Sequence, residues 1–125
     1  MPTKTNILNE GKSKIVYETD DPDLLIIHYK DDATAFNGEK KGTIVDKGVF
    51  NCRISSALFD MLKQHGIPNH VVQNLNEREQ LVRRLSIVPI EFVVRNRVAG
   101  SLAKRYGLTD GPLLARPMLE FFVKD

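Results

Sequence analysis

Cysteine is nearly missing from this sequence: Cys52 is the only one among 125 residues. An intrachain disulfide is therefore excluded, and a thiolate metal centre lacks ligands. His28, His65 and His70 do not make up the shortfall. Their spacing matches no metal-ligand pattern, and none is paired recognisably with Cys52 or a nearby serine. Satisfied or surface histidines and an unreactive thiol are the plainer reading, so no metal ligand is assigned. Long apolar runs are missing as well. Nothing approaches the ~20 residues of a membrane span, and the amino terminus MPTKTNILNEGK has no apolar stretch of a secretion signal. The expectation is a cytoplasmic protein with no membrane partner. Tryptophan is absent, leaving six Phe and three Tyr, which is sparse for a surface that reads RNA by stacking. Repeats and low-complexity tracts are also lacking.

What is present is an ordinary globular composition, 42% hydrophobic and 27% charged, with a formal net charge of +2 and a pI near 8.7. That mild basicity suits anionic small molecules as readily as nucleic acid. The length fits one domain over residues 1–125, burying roughly two thirds of its unfolded surface. KSKIVYET and LLIIHYKD are β-branched and aromatic runs around the turn signal DDPD, and predict a hairpin. DDATAFNGEKKGT follows as a polar turn or loop. From Val45 to Gly66, Phe50, Ile54, Ala57, Leu58, Met61 and Leu62 recur at helical spacing as the apolar face of an amphipathic helix, with Cys52 pointing away from it. HVVQNL, QLVRRLSIV and PIEFVVRNRV read as strands continuing one antiparallel sheet, with NEREQLVRRL a solvated edge or turn. GSLAKRYG reads as a short helix with a capping serine, and MLEFFV as a last strand. The fold class is α+β, a mainly antiparallel sheet with one long and one short helix.

Gly11-Lys12-Ser13 is half of a Walker A motif. Asn6 stands where the first glycine of that motif belongs, and the following KIVYET is strand, not helix, so a Walker loop is excluded twice. What remains is a glycine turn between strands. Its amides, with Lys12 and Lys14, could cover a phosphate chain, and Gly11 would let a ligand approach. The plain alternative is a solvated surface hairpin.

The segment PIEFVVRNRVAGSLAKRYG joins a strand to a helix start. Alternation puts Ile90, Phe92 and Val94 on a core face, and Glu91, Val93, Arg95 and Arg97 on the other. Arginine, helix N-terminus and the Ser101 hydroxyl together suit a phosphate monoester or carboxylate. The alternative, equally open, is that the charges pair across strands while Ser101 caps the helix.

These segments, in order, carry a family resemblance. EGKSKIVYETDDPDLLI, YKDDATAFNGEKKG, KGVFNCRISSALFDMLKQHGIP, REQLVRRLSIVPIEFVVRNRVAGSLAKRYG and EFFVKD closely resemble the amino-terminal half of the SAICAR synthetases, and VVRNRVAGSLAKR is the most specific of them. The resemblance implies a nucleotide-binding domain similar to a kinase amino-terminal lobe. It also implies ATP-driven joining of carboxyaminoimidazole ribonucleotide (CAIR) to L-aspartate, giving SAICAR, ADP and phosphate with Mg²⁺. Gly11, Lys12, Ser13 and Lys14 would cover the nucleotide phosphates, and Val16 and Val82 would line the adenine pocket. Arg95, Gly100 and Ser101 match positions that hold the ribonucleotide phosphate, and Asn37 lies in a segment near the substrates. Ser13 stands where many members have Ala. The family continues for about as many residues beyond the position of Asp125, and that half is expected to supply the Mg²⁺ ligands. Self-association, or pairing with a second half, is the expected assembly. The rival reading is a non-catalytic nucleotide- or RNA-binding module using Arg95, Arg97, Lys104 and Arg105.

Overall fold

The computed structural model of the protein describes residues 1–35 and 40–124. Strands β1 (Lys4–Glu10), β2 (Lys14–Thr19), β3 (Leu24–Tyr29), β4 (Asp32–Ala35) and β5 (Lys40–Thr43) precede helix α1 (Lys47–Gln64). Then come β6 (Val71–Asn76), β7 (Glu79–Arg83), β8 (Ile90–Arg97), helix α2 (Gly100–Tyr106) and β9 (Leu113–Val123). The class is α+β, as the patterning implies. The chain divides into two compact units, Met1–Leu85 and Ser86–Asp125. Among the described residues, no helix is long and apolar enough to cross a membrane.

The first unit is built on an antiparallel sheet in the order β1-β2-β3-β7-β6. The DDPD turn closes β2 onto β3 as expected: the Leu24 amide donates to the Asp21 carbonyl, and the Asp23 amide to the Asp21 carboxylate. Central β3 buries Leu25, Ile26, Ile27 and Tyr29, the continuous apolar run of a strand covered on both faces. β7 is not the solvated edge its charges suggested, because it lies between β3 and β6 with Leu81 and Val82 buried. β1 is the strand that the glycine turn required before Gly11, though its own sequence is mostly polar. It is held as an edge strand by pairing with β2, with register shifts on either side of Ile7. The segment read as a polar loop instead forms the β4–β5 ladder, whose connecting residues 36–39 lie outside the described set.

Helix α1 departs most from expectation. Its stripe of Phe50, Ile54, Leu58 and Met61 faces outward, and the side seated on the sheet carries Gly48, Val49 and Cys52. The reason is close approach. A Cβ at Gly48 would sit 2.4 Å from the Tyr29 carbonyl oxygen, so only glycine lets the helix start against β3. Small residues then bring Cys52 into a cluster with Leu25, Ile27, Tyr29 and Val82. Polar partners complete the seam. Fully buried Gln80 accepts from the Tyr29 hydroxyl and donates to Ser56 and Asn74. Cys52 is thus an inert core thiol, pushed up in pKa by burial.

In the second unit β8 does not continue the large sheet. It pairs with β9, which begins five residues earlier than the MLEFFV run. The face expected as core is exposed. Phe92, Val94, Leu119 and Phe121 all show surface, with Phe92 packed edge-on to Phe121 at 5.1 Å between ring centroids. The buried side chains of this unit are Val98, Leu102 and Ala103, around the start of α2. Helix α2 ends as its sequence predicts, on Gly107 in the left-handed conformation.

Candidate functional site

Residues Gly11–Ser13 form the turn between β1 and β2, so the Gly-Lys-Ser segment is a hairpin tip, as read from the sequence. The Gly11 amide donates to the Lys14 carbonyl at 2.9 Å. A Cβ at Gly11 would meet nothing closer than that carbonyl oxygen, 3.9 Å away, so the fold itself does not require glycine there. Lys12 and Lys14 are exposed, and the Lys14 ammonium stands 5.9 Å from the centre of the Tyr29 ring.

A residue that sequence reasoning missed holds this turn in place. The Lys30 amide donates to the Ser13 carbonyl at 2.9 Å, and its ammonium donates to Glu10 at 2.8 Å and to the Gly11 carbonyl at 3.3 Å. The same ammonium is 2.7 Å from Asp32. Lys30 therefore grips the turn on both sides of its tip. Asp32 and Glu10 raise its pKa, keeping it charged. The signal was available: with β2 and β3 paired so that Lys14 opposes Tyr29, the residue after Tyr29 must meet Ser13.

Beside the turn lies a groove of about 480 Å³ lined by Ser13, Lys14, Tyr29, Asn51, Ser55 and Leu58, among others. Val16 and Val82 belong to the sheet face that α1 covers. Val82 is closed in by the core at 1% exposure, so of the two only half-buried Val16 presents surface. Asn37 lies outside the described residues.

A second cluster forms in the other unit. The Arg95 guanidinium donates to the Ser101 hydroxyl at 2.9 Å and to the Ala99 carbonyl at 3.4 Å. Both residues named from the sequence are therefore in contact. Ser101 does not cap the helix: Ala99 occupies the cap position and makes no side-chain cap bond. Gly100 has φ of +56°, a left-handed backbone that favours glycine. Glu120, diagonal to Arg95 across the β8–β9 pair, accepts from both Arg95 and Arg105. Arg95, and then Arg105, hold its carboxyl below the usual carboxylate range. Arg97 is turned to the Gly111 carbonyl at 2.8 Å. The arginine face is largely paired internally, and an incoming anion would have to share Arg95 with Glu120.

Carboxylates for a divalent cation do not assemble. Glu10 and Asp32 are both engaged by Lys30, Asp31 is clamped by Arg78, and no group of three or more His, Cys, Asp or Glu gathers among the described residues. These residues by themselves do not fit a Mg²⁺ site.

Comparison with known proteins decides the family. A model of SAICAR synthetase matches residues 7–125. The chain belongs to the SAICAR synthetase family. It is 57% identical over 122 residues to phosphoribosylaminoimidazole-succinocarboxamide synthase of Chlorobium phaeovibrioides, covering 98% of this chain and 51% of that protein. To the enzyme of Desulfitobacterium hafniense it is 56% identical over 122 residues, again 98% of this chain and 51% of the relative. Among solved structures, the synthase of Ehrlichia chaffeensis superposes with a TM-score of 0.89 at 43% identity, over 96% of this chain and 51% of that one. A SAICAR synthetase in complex with ADP superposes at 0.86 with 43% identity, over 94% and 50%. The chain thus spans about half the length of the SAICAR synthetases it matches. Both the Gly11–Lys14 turn and the Arg95–Ser101 pair fall inside the region matched by the family model.

Proposed function

We propose that this chain is the ATP-phosphate-binding half of a purine-biosynthetic ligase that joins CAIR to L-aspartate, giving SAICAR, ADP and phosphate. The observation that carries the reading is the Gly11–Lys14 turn. It is a glycine hairpin with no side chain at its first position, two exposed lysines and a tether from Lys30, in a family where one relative is solved with ADP. A pre-fixed turn with cationic side chains stabilises a phosphate chain without reorganising as charge shifts between its oxygens. Lys12 and Lys14 would neutralise the nucleotide phosphates, Gly11 would admit them, and Val16 would offer apolar surface to the base. Arg95 and Ser101, already in contact, would hold the ribonucleotide phosphate, with Gly100 setting the backbone between them. When bound, Mg²⁺ would neutralise charge on the nucleotide, and its ligands would come from residues other than those described. Asn37 would serve near the substrates.

The reading is tested by thermal shift with Mg·ADP. The melting temperature rises for the native chain, and Lys12→Ala and Lys14→Ala each remove the rise. No rise at millimolar nucleotide would overturn it. An RNA-binding module is the weaker alternative, because Glu120 engages Arg95 and Arg105 and so lowers the free positive charge of the strand face. Filter binding at low salt separates the two. We further expect a cytoplasmic protein acting on small molecules.

A further inference from the structure

We propose that Glu120 is the positioning residue of the Arg95–Ser101 anion site: it holds the guanidinium and the hydroxyl in the arrangement that receives a phosphate monoester, and is not a counter-ion competing with that ligand. The inference rests on the assignment of this pair to the ribonucleotide phosphate and adds the residue that shapes it.

Glu120 stands on β9 where it meets both β8 and α2. Its two carboxylate oxygens are divided between them. Oε2 accepts from Arg95 Nε on β8, and Oε1 accepts from Arg105 on α2. The Arg95 and Glu120 side chains are only 16% and 15% exposed, so this is a packed pair and not a fluctuating surface contact. Arg105 is steadied in turn by Phe122, whose ring centre lies 5.1 Å from its guanidinium carbon. Ser101 and Arg105 are four residues apart on α2, which places them on one face of that helix. One carboxylate therefore sets both halves of the site. It orients Arg95 directly, and through Arg105 it draws in the turn of α2 that carries Ser101.

The donors left over after these contacts describe the ligand. A guanidinium has five N–H groups. In Arg95 one goes to Glu120, one to the Ser101 hydroxyl at 2.9 Å and one, at a longer 3.4 Å, to the Ala99 carbonyl, which leaves two. The Ser101 hydroxyl accepts from Arg95 and keeps its own proton to donate. Because Glu120 takes Nε, both terminal nitrogens of Arg95 stay turned toward Ser101 and Ala99. The open positions are all donors, so they fit a group that only accepts, as a phosphate monoester dianion does.

The two roles open to Glu120 predict opposite signs. As a counter-ion it cancels positive charge and repels phosphate, so neutralising it tightens binding. As the positioning residue it must supply one acceptor to each arginine. Neutralising it then leaves one acceptor for two guanidinium groups, Arg95 loses its fixed orientation, and binding weakens in spite of the added positive charge.

The test titrates the intact ¹⁵N-labelled chain with ribose 5-phosphate and follows the Ser101 amide resonance. The native chain saturates, and Arg95→Ala removes the response. Glu120→Gln raises the dissociation constant read at Ser101 on the order of tenfold. Glu120→Asp keeps the charge but withdraws it by one methylene, and raises the constant severalfold. The other amide resonances report whether each variant folds, and Glu120→Asp decides if Glu120→Gln does not. Tighter or unchanged binding in folded Glu120→Gln, or native affinity in Glu120→Asp, would overturn the positioning role while leaving the phosphate site in place. No response from the native chain would overturn the site itself, and the proposal with it.

Discussion

The Tyr29 hydroxyl lies 2.8 Å from Gln80 Oε1, and Gln80 is completely shut off from solvent beneath α1. The same hydroxyl accepts from Ser55 at 2.9 Å, while the Gln80 amide donates to Ser56 at 2.8 Å and Asn74 at 3.2 Å. One buried amide thus joins β3, β6, β7 and α1, and no buried side-chain polar atom among the described residues is left unpartnered. Gln80→Leu would remove the buried acceptor of the Tyr29 hydroxyl, while Ser56 and Asn74 keep their bond to each other. Leaving a buried donor unpaired costs about 1–3 kcal/mol before relaxation, so the variant is expected to lose about 2 kcal/mol in urea unfolding. Tyr29→Phe removes one donor and is expected to lose about 1 kcal/mol. Equal, small losses for both would show that the seam is not a cooperative network.

Asp31 does for α1 what a capping side chain normally does. Its carboxylate accepts from the Gly48 amide at 2.8 Å and the Asp46 amide at 3.3 Å, and Arg78 clamps it through both guanidinium nitrogens. Arg78 first, and then the Gly48 amide, hold its pKa at about 2 against an ordinary 3.8. A depressed carboxyl stabilises the fold fully above its unfolded pKa and loses that contribution as pH falls through the folded one. The native chain is therefore expected to lose stability between about pH 4 and pH 2. Asp31→Asn should be less stable at neutral pH and flatter across that window. Parallel curves for the two, from urea midpoints at each pH, would refute the assignment.

Two glycines with different reasons to be glycine separate fold from binding. Gly100 has φ of +56°, so Gly100→Ala is expected to lose about 1–2 kcal/mol of stability through backbone strain. Gly11 has no such φ and open space around its Cβ position, so Gly11→Ala should fold within about 0.5 kcal/mol of the native chain. If the turn covers phosphates, that neutral substitution nonetheless reduces the rise in melting temperature with Mg·ADP. An unaltered rise would remove the turn from the nucleotide site.

Local sequence carried the β2–β3 hairpin, both helices and the Arg95–Ser101 contact, because turn chemistry and short-range periodicity decide them. It failed where tertiary packing overrides the pattern. The apolar row of α1 reads as core on any helical wheel, yet Gly48, Cys52, Ser55 and Ser56 fit the sheet more closely, and only the Tyr29–Gln80 network beneath them shows why. Likewise β8 alternates as expected, but its partner is β9, on the far side of α2, and the face labelled core stands exposed. β1 has only Ile7 and Leu8 as apolar residues, both exposed, and is held by its pairing with β2.

Lys30 offers the sharpest test of how the turn is prepared for a ligand. Its ammonium grips Glu10, Asp32 and the Gly11 carbonyl, while its backbone amide separately holds Ser13. Lys30→Met removes the first set of contacts and leaves the second, so the hairpin still forms but its tip is no longer fixed from both sides. A ligand must then order the tip itself, and that entropy is subtracted from binding. The expected result is a small drop in melting temperature with Mg·ADP affinity, by titration calorimetry, weaker on the order of tenfold. Glu10 is also released from its partner and adds repulsion toward phosphate. Lys30→Arg, which keeps the charge, should recover part of the affinity, whereas Lys30→Gln should not. If Lys30→Met bound nucleotide as tightly as the native chain, the turn would owe its shape to the β1–β2 pairing alone.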